Sequence, residues 1–105
     1  LQRDGLIEDM VFDAAVHHGP ATAVRFLQRI ARVEADGVLG PITREALNKV
    51  PDLMLAAGFL AERISFMGAL ISADPSQAVF AHGWLRRVTS FLPLFPQLQR
   101  GHPHA

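Results

Sequence analysis

Apolar residues recur along this chain at helical spacing, in blocks set apart by glycine, proline and aspartate. Leu6, Ile7, Met10, Val11 and Ala14 predict a first helix from about Gly5 to His18. Gly19-Pro20 ends it and starts the next, since glycine takes a left-handed cap and proline fits a first helical turn, where its missing N–H is not needed. The second helix runs from Pro20 to about Val33, with Val24, Leu27, Ile30 and Ala31 as its apolar stripe and Arg25, Gln28, Arg29 and Arg32 off it. Asp36-Gly37 reads as a turn. Gly40-Pro41 opens a short third helix, with Ile42, Ala46, Leu47 and Val50 facing inward, and Pro51 ends it. Asp52 is the expected N-cap of a fourth helix from Leu53 to about Ser72. Its apolar residues run nearly all the way round, so other helices should cover it. Asp74-Pro75-Ser76-Gln77 reads as a capping box that opens a fifth helix, whose apolar face continues through Val79, Phe80, Trp84, Val88 and Phe91.

The class that follows is all-α, with about five helices around a central hydrophobic one. A single domain is expected over residues 1–92, with an irregular tail over 93–105 that holds Pro96, Gly101 and Pro103 and frays beyond Arg100. The fourth helix has the length of a membrane span. However, Glu62 and Arg63 lie at its centre, where each charge costs about 2.5–3.5 kcal/mol in lipid. A packed helix rather than a membrane span is the expectation. Leu1 to Met10 carries Arg3, Asp4, Glu8 and Asp9 and does not read as a signal peptide.

Composition narrows the functional classes. The 105 residues hold ten basic and ten acidic side chains, so the formal net charge is zero. Nucleic-acid binding needs a clustered basic excess and is not expected. The second and third helices superficially suggest a helix-turn-helix, but about eight residues separate them, against the usual three or four. There is no cysteine, which removes thiolate metal sites and cysteine nucleophiles. No metal site and no cofactor is implied.

Candidate chemistry is sparse. Asp9, Asp13 and His17 are spaced four apart and share one face of the first helix. A carboxylate–imidazole pair can serve acid–base chemistry, and a histidine in a last helical turn also has a plain dipole role. Arg25, Arg29 and Arg32 can meet carboxylates or phosphates, or form a solvated face. Glu62-Arg63 reads as an ion pair to another helix or as a carboxylate lining a cleft. Trp84 falls on the apolar stripe with Phe80 and Val88, which gives it a core role. An aromatic ring face is also what sugar sites present to C–H groups, and Gly83 beside it permits close approach of another backbone.

Taken together, Phe12-Asp13-Ala14-Ala15-Val16-His17-His18-Gly19-Pro20, Leu27-Gln28-Arg29, Asp36-Gly37-Val38-Leu39-Gly40-Pro41-Ile42-Thr43, Ala46-Leu47, Glu62-Arg63, Phe66, Gly83-Trp84-Leu85 and Arg87-Val88 form a longer series. It resembles the peptidoglycan-binding domain that makes up the C-terminal half of a group of phage and bacterial muramidases, the secretion-activating proteins among them. The resemblance spans about Phe12 to Val88. It implies a lysozyme-like C-terminal lobe and peptidoglycan glycan strands as partner, with Asp13, His17, Trp84 and Arg87 as binding candidates. Asp13 matches the family's aspartate, and His17 stands where the family usually has asparagine. The family's catalytic glutamate lies in an upstream His-Glu-Gly-Gly segment, and no position of this chain carries it. An N-terminal catalytic segment missing from this chain is therefore an expected partner, and the site of action is the cell wall, in the periplasm or outside the cell.

Three functional readings follow. In the first, the chain is the peptidoglycan-binding portion of a muramidase-like endolysin. In the second, it hydrolyses glycan itself, with Glu62 or Glu8 as general acid and Asp13 assisting. In the third, it is a helical structural or assembly protein of a phage or bacterium, which an exposed apolar patch on the fourth or fifth helix would favour.

Overall fold

The structure, a computed structural model, describes residues 3–99. It is all-α among those residues: α1 (Gly5–His18), α2 (Pro20–Ala31), α3 (Pro41–Asn48), α4 (Asp52–Ala73) and α5 (Ala81–Thr89), with 3-10 helices at Pro75–Phe80 and Leu92–Gln99. Asp4 caps α1, its side chain accepting from the Leu6 N–H at 2.9 Å. Gly19 has φ of 95° between α1 and α2, the conformation that favours glycine, and Pro20 follows in the first turn of α2. α2 ends two residues before the expected Val33, because Arg32 turns left-handed at φ 61° and its N–H closes on the Arg29 and Gln28 carbonyls.

The core gathers Leu6, Ile7, Met10 and Ala14 of α1, Ala23, Phe26 and Leu27 of α2, Leu47 of α3, Leu55, Ala56, Phe59, Leu60 and Met67 of α4, and Val88 of α5. Phe26 lies at its centre, meeting Phe59, Phe66 and His18 edge-on at ring separations of 5.6, 5.5 and 6.5 Å. α2 crosses α4 closely at Gly58, where an added Cβ would come within 3.1 Å of Ile30.

α4 is the hub, touching α1, α2, α5 and both 3-10 helices. It is not covered all round, as its composition suggested. Its buried residues, Asp52, Leu55, Ala56, Phe59, Leu60, Arg63 and Met67, trace one face, while Leu53, Met54 and Ile64 are exposed. The domain is a slab 45 × 31 × 19 Å, too thin for a helix enclosed on every side. α4 meets the length and hydropathy of a membrane span. Its central Arg63 is nevertheless paired with α1, and its buried face is built from the domain's own core residues.

Four further expectations are corrected. Asp52 is the first helical residue of α4, not its cap; its carboxylate instead receives Arg3, Nε to Oδ1 at 2.9 Å. Arg3 also donates to the Leu47 and Val50 carbonyls, so one guanidinium binds the chain's start to the α3–α4 junction. Ile42 is 76% exposed, and Thr43 takes the inward position of α3. Asp74 does bind Ser76, N–H and hydroxyl, but its own N–H closes α4 on the Leu70 carbonyl. With no N–H left for Gln77 to accept from, the box is incomplete and a 3-10 turn precedes α5. Finally, residues 93–99 are not irregular but belong to the second 3-10 helix, where Leu98 enters the core and Phe95 packs against it. The expected fraying beyond Arg100 lies outside the described residues.

Candidate functional site

Three of the four candidates read from the sequence converge on the carboxylate of Asp13. The α1 register places Asp13 one turn before His17, and the packing of α1 against α4 brings Arg63 to it. Arg63 Nη1 donates to Oδ2 at 2.6 Å, and Arg87 Nε of α5 donates to Oδ1 at 2.9 Å. One carboxylate thus ties α1 to two helices that follow it by 50 and 74 residues. Arg63 is only 2% exposed, and its Nε donates to His18 Nε2 at 3.0 Å. His17 Nδ1 donates to the Asp13 carbonyl at 2.8 Å and lies 3.7 Å from Oδ1.

Trp84, the fourth candidate, is half-buried against the core on α5, one turn before Arg87. Its ring stacks on Phe80 at 5.8 Å with an angle of 27°. The sequence reading missed Arg63 and His18 as members of the cluster. A charge in the middle of an apolar helix was the available signal for Arg63. His18 carried none beyond its adjacency to His17.

Burial acts to raise the Asp13 pKa, but the bonds and charges of Arg63 and then Arg87 outweigh it and hold the carboxyl below its usual 3.8. His18 is pushed below 6.5, first by burial, then by the charges of Arg63 and His17. A neutral His18 is also what the geometry needs, since Nε2 must keep its lone pair to accept from Arg63.

The three carboxylates of the hydrolytic reading, Asp13, Glu62 and Glu8, each meet other groups. Asp13 has both oxygens on arginines, and its lowered pKa suits a fixed anion rather than a proton donor. Glu62 is turned to α2, where it meets Arg29 at 3.4 Å, while its neighbour Arg63 is turned to α1. Glu8 borders a shallow depression of about 420 Å³ along α1, with Asp9, Val11, Phe12 and Ala15. Among the described residues no group of three or more histidines and carboxylates is placed to hold a metal ion.

A second polar cluster explains another part of the sequence series. Gln28 is fully buried on α2, not on a solvated face. Its Oε1 accepts from the Gly37 N–H at 2.9 Å. Its Nε2 meets Asp36 Oδ1, the Val38 carbonyl and Thr43 Oγ1 at 2.8, 3.0 and 3.0 Å. Gly37 has φ of 79°, and Asp36 also accepts from the Val38 N–H. The Gln-to-Thr series is thus one hydrogen-bonded knot that fixes the α2–α3 loop.

Acid should destabilise the domain in two stages. The folded chain protonates His18 less readily than the unfolded chain, so stability falls as pH drops below about 6.5. The Asp13 contribution is complete above about 3.8 and is lost as pH falls through its lower folded value. Urea midpoints measured from pH 8 to 3 should show both stages. His18→Gln keeps an acceptor for Arg63 but cannot titrate, so it should abolish the upper stage alone. Persistence of that stage in the variant would assign the proton to another group.

Comparison with known proteins bears on what this arrangement serves. No curated protein matches the chain. The solved structure of Brucella abortus SagA is similar, with a TM-score of 0.74 and 27% identity, over 91% of this chain and 53% of that one. The chain therefore spans about half the length of SagA. The family model described as a predicted peptidoglycan domain matches residues 22–89, which take in the Gln28 knot, Arg63, Trp84 and Arg87. By that match, which covers well over half of the chain, the protein belongs to this peptidoglycan-domain family.

Proposed function

We propose that this chain is the peptidoglycan-binding portion of a muramidase-like endolysin, a lysozyme acting on bacterial cell-wall glycan in the periplasm or outside the cell. It holds glycan strands while a separate catalytic segment cuts the bond between the amino sugars. The family match over residues 22–89 carries this reading. Asp13, His17, Trp84 and Arg87 are the residues we assign to the glycan side. The outer face of α1, where Phe12 and Val16 are 71% and 63% exposed, is where we assign contact with the catalytic segment.

A second reading, a helical assembly protein, draws on the exposed Leu53, Met54 and Ile64 of α4. One pair of measurements separates the two. The expected result is retention on insoluble peptidoglycan sacculi above a heat-denatured control, with a monomer in light scattering. Self-association with no retention would reject the first reading in favour of the second.

A further inference from the structure

The zero net charge conceals a segregation along the chain. All ten carboxylates lie at or before Asp74, together with seven of the ten basic side chains. Arg86, Arg87 and Arg100 follow it with no acidic residue, so residues 75–105 carry +3 and the rest −3. α5 holds His82, Arg86 and Arg87 and no acid of its own. Asp13, the one carboxylate in an ion pair with α5 among the described residues, is shared with the buried Arg63 and cannot neutralise both guanidinium groups. The α5 surface thus keeps an uncompensated positive charge.

Arg87 is where that charge is presented. Its Nε is engaged by Asp13, while its two Nη groups make no hydrogen bond among the described residues. Half of the side chain is exposed. The Nη pair is a two-donor fork of the kind that grips a carboxylate. One turn earlier on the same face stands Trp84, backed by the stacked Phe80, which is 51% exposed. An apolar ring pair at the start of α5 is therefore followed, one helical turn after Trp84, by an anchored cation with free donors.

We propose that Phe80, Trp84 and Arg87 form a subsite for an amino sugar that carries a carboxylate, the sugar's C–H face lying on the aromatic stack and the carboxylate on the Arg87 Nη fork. This rests on the reading of the chain as peptidoglycan-binding and narrows it: the unit held is the anionic muramic acid residue, not its neutral N-acetylglucosamine neighbour. The carboxylate has two chemical sources, the lactyl group of a peptide-free muramic acid or the stem peptide attached to it.

Trp84 is the only tryptophan and there is no tyrosine, so intrinsic emission reports on this subsite alone. Three disaccharide probes are titrated against it: chitobiose, N-acetylglucosaminyl-N-acetylmuramic acid, and the latter bearing a tetrapeptide. At least one carboxylate probe should bind about tenfold or more tightly than chitobiose, the worth of one charge-assisted hydrogen bond. Whichever of the two binds tighter identifies the source of the carboxylate. Arg87→Gln should erase the preference over chitobiose, and Arg87→Lys, which keeps the charge but not the fork, should keep part of it. Circular dichroism confirms that each variant is folded. Equal binding of chitobiose, a preference that survives in Arg87→Gln, or unchanged Trp84 emission from a chain that sacculi retain would each overturn the subsite. Failure of the unmodified chain to bind sacculi is a separate result, and it removes the reading on which the subsite rests.

Discussion

Asp13→Asn is expected to lower the unfolding free energy by about 3 kcal/mol, a large share of the roughly 5–15 kcal/mol available to a small domain. The side chains are nearly isosteric, so no cavity is made and the loss is electrostatic. Arg63, 2% exposed, would keep its charge and lose the only anion that it meets among the described residues. The asparagine amide can accept from one guanidinium, but it turns an N–H donor toward the other. Urea unfolding monitored by circular dichroism reads the effect. Arg63→Met in the Asp13→Asn background should recover part of the loss, because it removes the stranded charge and fills the space with an apolar chain. Arg87→Gln in the wild-type background should cost no more than about 1 kcal/mol, since its bond to Asp13 is half-exposed. A loss below about 1 kcal/mol in Asp13→Asn would show that Arg63 is solvated and that the carboxylate does not tie the helices together. The contrast between the two arginines separates their work: Arg63 is committed to the fold, and Arg87 has donors to spare.

The helices themselves were legible because their ends are written in residues with few conformational options. Gly19-Pro20, Gly40-Pro41 and Pro51 set boundaries that the structure keeps within a residue or two. What periodicity did not fix was which side of a helix is covered. α4 is apolar nearly all round, so its pattern contains no preferred face; its partners select one, and they leave Met54 and Ile64 outside. In α2 the inward side is centred on Phe26, between Ala23 and Leu27, and it takes in Gln28, which the apolar stripe read from the sequence left out. In the tail, Pro93 and Pro96 argued for irregular chain, but a 3-10 turn tolerates them and Leu98 is drawn to the core.

The site was legible one residue at a time and not as a constellation. Asp13 and His17 were noticed for their spacing on one helix face, and Arg87 only as part of the longer series that resembles a known family. Their meeting depends on α1, α4 and α5 folding together across as many as 74 residues, which no local spacing encodes. Arg63 carried a usable signal, because a charge at the centre of an apolar helix requires a partner. Many carboxylates could have supplied one, and only the packing selects Asp13.

Gln28→Leu carries the other large effect, expected at about 2–4 kcal/mol. Leucine roughly keeps the volume of the site, so the cost is that of polar groups left without partners. Asp36 and the Val38 carbonyl lie on an exposed stretch of loop, where water can replace the amide. The Gly37 N–H and the hydroxyl of Thr43, a residue 5% exposed, are the groups that suffer, at about 1–3 kcal/mol each. Two local signatures distinguish this from general loosening. The Gly37 amide should lose protection from hydrogen exchange before amides of α4 do. The Asp36 carboxyl is held below 3.8 first by the Val38 N–H and next by Gln28, so it should titrate closer to 3.8 in the variant. If the knot serves the fold alone, retention on sacculi should fall only in proportion to the fraction unfolded. Loss of retention in a variant that remains folded would instead make the α2–α3 loop part of the glycan surface. The Gln-to-Thr series would then both hold the turn and touch the glycan.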